Sequence, residues 1–138
     1  MARVALAVGI VLTAVGMVAA MHDDEAESVK TLTVRDIVEK VDGKETTATA
    51  VEVTIQPGKA GVSHRHPGPG FGYILEGEYE WGIDDQPTRI LKAGDTFYEP
   101  AGCLHRVSRN PGKAKTRLLA WVLHPRDVKE IVIPEPKK

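Results

Sequence analysis

Cysteine is nearly absent from this chain: Cys103 is the only one among 138 residues. An internal disulfide is therefore excluded, and no thiol lies near the N-terminus to carry a lipid anchor. Charge of a dominant sign is missing too, since 18 Lys and Arg face 19 Asp and Glu for a formal net charge of −1. Without a broad basic face there is no electrostatic footprint for nucleic acid. A long amphipathic helical pattern and an internal repeat are both lacking, which argues against a helical domain and for one barrel rather than two. The composition, 42% hydrophobic and 27% charged, is that of one globular domain with a modest core.

One long apolar run is present, at the very start. Arg3 is followed by an almost unbroken apolar stretch over residues 4–21, with Asp23, Asp24 and Glu25 just beyond it. A basic residue, an apolar core and the small-residue exit Val18-Ala19-Ala20 read as a secretory signal peptide. A membrane anchor competes, because the run approaches the roughly 18 to 20 residues that span a bilayer. Both readings place the folded part outside the cytoplasm, secreted or periplasmic, with membrane attachment only if the segment is retained. The expected organisation is a signal or anchor over 1–20, a polar flexible leader over 21–28 and a folded domain over 29–138.

Within that domain, β-branched and alternating stretches recur between turn signals. Strands are expected over 29–34, 49–56, 64–66, 71–75, 79–83, 88–91, 96–99, 104–108 and 115–123, and a turn of helix over 35–41. Asp42-Gly43, Pro57-Gly58, Gly77, Asp84-Asp85-Gln86-Pro87, Ala93-Gly94-Asp95 and Asn110-Pro111-Gly112 punctuate them. Many short strands with regular turns and no long helix indicate an all-β barrel or sandwich. Near the end, Ile131-Val132-Ile133 could add an edge strand, within this subunit or to a neighbour.

Two stretches carry the chemistry. In residues 58–77, His64 and His66 are one residue apart, so an extended backbone turns both imidazoles to one face. In residues 94–105, a Pro and Gly turn leads to His105. Three histidines can form a metal site; the competing reading makes them solvated turn residues.

The first stretch resembles cupin motif one, with Gly58, His64, His66 and Gly77 at matching positions. The second resembles cupin motif two, through Gly94, Pro100, Gly102 and His105. Two signature positions differ: Gly70 stands where the family has a glutamate ligand, and the closing asparagine falls one place late, at Asn110. The resemblance implies a single antiparallel jelly-roll barrel holding a metal inside, and a homodimer. It also implies one divalent transition metal on His64, His66 and His105, with Fe(II) favoured over zinc, manganese, copper and nickel.

Imidazole suits all of those metals, and three protein ligands leave positions open for water, substrate or dioxygen. Losing the glutamate leaves an uncharged ligand set and, if Gly70 faces inward, opens space there and at Gly72. No catalytic residue is identifiable; Glu99, Tyr98 and Cys103 are weak candidates. Alternation turns one of Tyr98 and Glu99 inward, and a solvated rim carboxylate is the preferred reading of Glu99. Cys103 reads best as a small buried apolar residue. The leading functional expectation is a metal-dependent oxygenase-like enzyme on a small chelating substrate. A non-catalytic metal or small-ligand binder is the alternative, and a structural dimer the third.

Overall fold

The computed structural model describes residues 25–136, all of it strand, turn and irregular backbone. The signal or anchor segment lies outside the described residues. Among those described, no helix is long and apolar enough to cross a membrane.

Ten strands follow in order: β1 (Glu27–Val41), β2 (Lys44–Ile55), β3 (His64–Arg65), β4 (Gly70–Glu76), β5 (Glu78–Ile83), β6 (Arg89–Lys92), β7 (Thr96–Glu99), β8 (His105–Arg109), β9 (Thr116–Pro125) and β10 (Ile133–Pro134). They form two five-stranded antiparallel sheets, ordered β1-β2-β9-β4-β7 and β10-β3-β8-β5-β6. This is the all-β architecture that the alternating pattern and turn spacing anticipate, arranged as the jelly roll that the resemblance implies.

The start of the domain departs from expectation. Residues 35–41 form no helical turn; they continue β1, pairing with β2 from Arg35↔Ala48 to Val41↔Lys44. The ladder to β2, interrupted only by a bulge between Ile37 and Lys40, pairs one edge of this stretch and overrides its ambiguous local preference. Asp42 and Gly43, at φ 51° and 73°, close the hairpin in the two-residue left-handed turn that matches strand twist. Strand also reaches back to Glu27, inside the segment expected to be leader.

Side chains from the two inner faces meet in a core of Ile55, Ile74, Tyr79, Trp81, Ile83, Leu91, Phe97 and Leu118. Each fully buried aliphatic side chain contributes about 1.5–3 kcal/mol. Space at Gly72 is not free for a ligand: a Cβ there would lie 2.0 Å from Phe97 Cζ, so the Phe97 ring fills the place the glycine leaves. Asn110 is fully buried; its amide donates to the carbonyls of Ile55 and Ala114 and its oxygen accepts from Gly112 N–H. It clasps the turn between β8 and β9. Of the Ile131-Val132-Ile133 segment only Ile133 enters an edge strand, β10, which runs on to Pro134 and pairs with β3 of the same chain.

Candidate metal centre

His64 and His105 face each other across β3 and β8, and His66 follows β3 on the side that His64 occupies. One ring nitrogen from each of these three histidines lies within 4.8 Å of the others. His64 Nδ1 donates to the Val62 carbonyl at 2.8 Å, and His66 Nδ1 donates to the Ile131 carbonyl. Both carbonyls are acceptors only, so in the neutral rings each Nε2 carries a lone pair. Those two Nε2 atoms stand 3.2 Å apart. Two lone pairs so placed repel; a proton on one of the rings relieves this as a hydrogen bond, and so does a cation between them, the spacing matching that of neighbouring nitrogens each about 2.1 Å from one ion. His105 adds a buried Nδ1 with no hydrogen-bond partner. A divalent transition metal fits this donor set.

The sequence reading preferred a solvated rim for Glu99, and the structure overturns it. Strand β7 alternates outward and inward, placing Phe97 and Glu99 inside and Tyr98 outside. Glu99 is 2% exposed, with Oε2 3.3 Å from His66 Nε2 and Oε1 3.1 Å from His105 Nδ1. Trp81 Nε1 donates to Oε1 at 2.8 Å, leaving Oε2 as the free oxygen. Glu99 pairs directly with Gly70 across β4 and β7. A carboxylate thus stands on the strand paired with position 70, in contact with His66 and His105.

Tyr98 packs outward against Phe71, with ring centroids 5.1 Å apart. Cys103 packs against the core, and burial pushes its thiol up to about 11. Arg106 hydrogen-bonds the carbonyls of Asp84 and Gln86, and Arg109 pairs with Glu80; neither arginine lines the cavity.

Burial dominates the electrostatics. It depresses the pKa of His64, and that of His105 to about 4. Burial opposes charge on His66 as well, but the hydrogen bonds its ring donates to Glu99 and to the Ile131 carbonyl outweigh it and raise its pKa. For Glu99, burial alone would raise the pKa; His66, His105 and Trp81 together bring it below the ordinary value.

His105 gives the metal-free protein an acid limit. Its folded pKa of about 4 lies below the ordinary 6.5, so protons bind the unfolded chain preferentially. The stability from neutral burial is complete above pH 6.5 and is lost as pH falls toward about 4, by at most about 3 kcal/mol. Urea midpoints of chelator-treated protein are expected to fall over that interval, and His105→Gln should flatten the fall. A midpoint independent of pH would refute this.

The centre sits in a cavity of about 360 Å³ walled by Val51, Val53, Leu118, Val122 and Ile131. The C-terminal tail helps to build it, through the Ile131 carbonyl on His66 and the Arg65–Glu135 ion pair at 3.2 Å. Deleting residues 130–138 is expected to weaken Zn(II) binding by about 10–100-fold, the usual effect of losing a partner that orients a ligand. Calorimetric titration checks this; unchanged affinity would show that the tail does not orient His66.

Fold and site together define a double-stranded β-helix with three histidines clustered as a metal centre requires. The sequence model of the cupin domain matches residues 51–122, and the chain belongs to the cupin family. No curated protein sequence matches. Among solved structures, an oxalate oxidase in complex with the substrate analogue glycolate superposes with TM-score 0.58 at 23% identity, over 75% of this chain and 53% of its own. This chain therefore spans about half the length of that enzyme. KdgF from Halomonas sp. gives 0.58 at 22% identity over 77% and 86% of the two chains. A double-stranded β-helix protein from Klebsiella pneumoniae gives 0.63 at 17% over 83% and 90%. At these identities the likeness shows the fold.

Proposed function

We propose that this cupin is a metal-dependent enzyme of the oxygenase type acting on a small chelating organic acid or enolate. The observation that carries the reading is the convergence of His64, His66, His105 and Glu99 at the wall of a mostly apolar cavity. Imidazole with carboxylate suits Fe(II), the metal we favour, and also manganese, zinc, copper or nickel. Such a metal supplies Lewis acidity and, for iron, the electrons that dioxygen chemistry requires.

The protein's own contribution is positional. Val62 and Ile131 carbonyls fix two rings, Glu99 balances cationic charge, and the valine and leucine walls keep water from the reacting atoms. A cavity of about 360 Å³ is at the small end of ligand pockets, which favours small acids. The glycolate-bound oxalate oxidase supports that substrate class by analogy of fold. The reading includes an extracytoplasmic location, from the N-terminal segment, and a homodimer joined through the open edge of β1, where Val29, Val34 and Val38 are exposed.

The test is oxygen consumption by iron-loaded protein, purified without a histidine tag, against a panel of small hydroxy, keto and dicarboxylic acids. Turnover that disappears on chelation and returns with iron is the expected result. Saturable binding without product in any metal form would make the protein a non-catalytic binder.

A further inference from the structure

The inner face of the β1-β2-β9 sheet changes from apolar to polar on three adjacent strands at one level. On β2 the inward residues run Val53, Val51 and then Thr49, Thr47; on β9 they run Leu118, Ala120, Val122 and then His124. On β1 a bulge at Leu32, between Thr31 and Thr33, brings Val34 and Asp36 to the face that Val29 and Thr31 occupy. Asp36, Thr47 and His124 are direct register partners across the three strands. These polar side chains line a second chamber of about 370 Å³. Thr31 and Ile131 line both this chamber and the metal cavity, so the two spaces adjoin at the C-terminal tail.

Thr47, Thr49 and His124 are buried, and hydrogen bonds fix what each still offers. His124 Nδ1 donates to the Pro125 carbonyl at 3.0 Å, so in the neutral ring Nε2 accepts from Thr49 Oγ1 at 2.9 Å. Thr47 Oγ1 donates to Asp36 Oδ1 at 2.7 Å. Both hydroxyl hydrogens are spent within the protein, and both oxygens keep lone pairs for an incoming donor. Donors stand opposite. Arg126 Nε lies 3.4 Å from Asp36 Oδ2 and Nη2 donates to the Ile37 carbonyl, while Nη1 takes part in neither contact; Lys129 lines the chamber from the exposed tail.

Such a lining discriminates between ligand classes. A hydrocarbon would leave the threonine oxygens and the guanidinium unanswered, at a desolvation cost. An anion would compete with Asp36 and Glu45, which already face Arg126 at 3.4 and 3.5 Å. A metal ion would find Asp36 committed to that guanidinium. A hydroxyl is donor and acceptor at once, so it answers a threonine oxygen and an arginine N–H together. Thr47 and Thr49 stand two residues apart on one strand, about 6.8 Å. They therefore engage hydroxyls several carbons apart on one molecule, while Val34 and Val128 cover its carbon skeleton.

We propose that this chamber is a second binding site, distinct from the metal centre, for a small neutral polyhydroxylated molecule, a polyol or a monosaccharide. Thr47, Thr49 and Asp36 accept from its hydroxyls, and Arg126 donates to them. None of these residues belongs to the metal centre.

Glycerol, xylitol, D-glucose and D-galactose, titrated at millimolar concentrations into ¹⁵N-labelled protein with and without Zn(II), are the probes, and ¹H–¹⁵N spectra are the readout. At least one is expected to shift the backbone amides of Thr47, Thr49, His124 and Arg126 saturably, and equally in both metal states. Thr49→Val, which keeps the shape and removes the hydroxyl, should weaken that binding about tenfold, as loss of a buried hydrogen bond does. Val34→Phe places a larger side chain at the chamber from an exposed position; it should abolish binding and serves if Thr49→Val does not fold. Both variants should take up Zn(II) like the parent. No saturable shift with any of the four probes would overturn the proposal. So would shifts at these amides with succinate or phosphate alone, which would make the chamber an anion pocket, and so would sugar-induced shifts confined to His64, His66 and His105. Failure to bind Zn(II) would strike the metal reading alone and leave the outcome at the chamber to stand by itself.

Discussion

His66→Ala is expected to yield folded protein that no longer copurifies with stoichiometric metal, with affinity reduced by well over the roughly 100-fold that loss of an outer partner costs. His66 holds the middle of the centre, with Nε2 3.2 Å from His64 and 3.3 Å from Glu99. Its removal takes away one donor and at the same time leaves Oε2 of the buried Glu99 without its partner, Trp81 and His105 both lying against Oε1. His64→Ala and His105→Ala should behave alike, since each removes one of three nitrogens that converge within 4.8 Å. Elemental analysis and circular dichroism of the variants decide the matter together. Metal retained at one equivalent in all of them, with the β spectrum intact, would place the ion elsewhere and dismiss the centre.

The histidines were legible because their information is local. His64 and His66 share a face through strand periodicity alone, and the Pro100-Ala101-Gly102 turn announces His105. Barrel architecture was legible for a similar reason: turn residues divide the chain into short alternating segments, and β7 was bounded correctly at 96–99. What escaped was long-range. Whether residues 35–41 would be helix or strand depended on a ladder with β2 that local preference does not encode. Alternation said that one of Tyr98 and Glu99 turns inward, but only the pairing of Phe97 with Gly72 and Glu99 with Gly70 reveals which. The Gly70-to-Glu99 register was the signal that could have found the carboxylate: a motif glutamate lost on one strand directs attention to acids on its hydrogen-bonded neighbours.

That register makes a second, equally strong prediction. Glu99→Ala is expected to lower stability by about 3–5 kcal/mol, as breaking a buried charged pair does, because Trp81 N–H loses its acceptor and His66 loses its carboxylate. Metal affinity should fall at least about 100-fold, since a charged donor goes as well as an orienting contact. Gly70 offers a way back. A Cβ at that position would stand 3.5 Å from Glu99 Oε2 and 3.8 Å from His66 Cδ2, ordinary contacts that leave room for a side chain once Glu99 is shortened. The double variant Gly70→Glu with Glu99→Ala therefore returns the carboxylate to the strand from which it is missing and should recover much of the metal affinity. It should recover less of the stability, because the Trp81 N–H partner on β7 is not replaced. Zinc titration and urea unfolding of the two variants separate these effects. If Glu99→Ala binds metal as tightly as the parent, the carboxylate is a structural clasp for Trp81 and the centre is a three-histidine site after all. If the double variant regains nothing, then what the metal needs is the strand position of the acid as well as its charge.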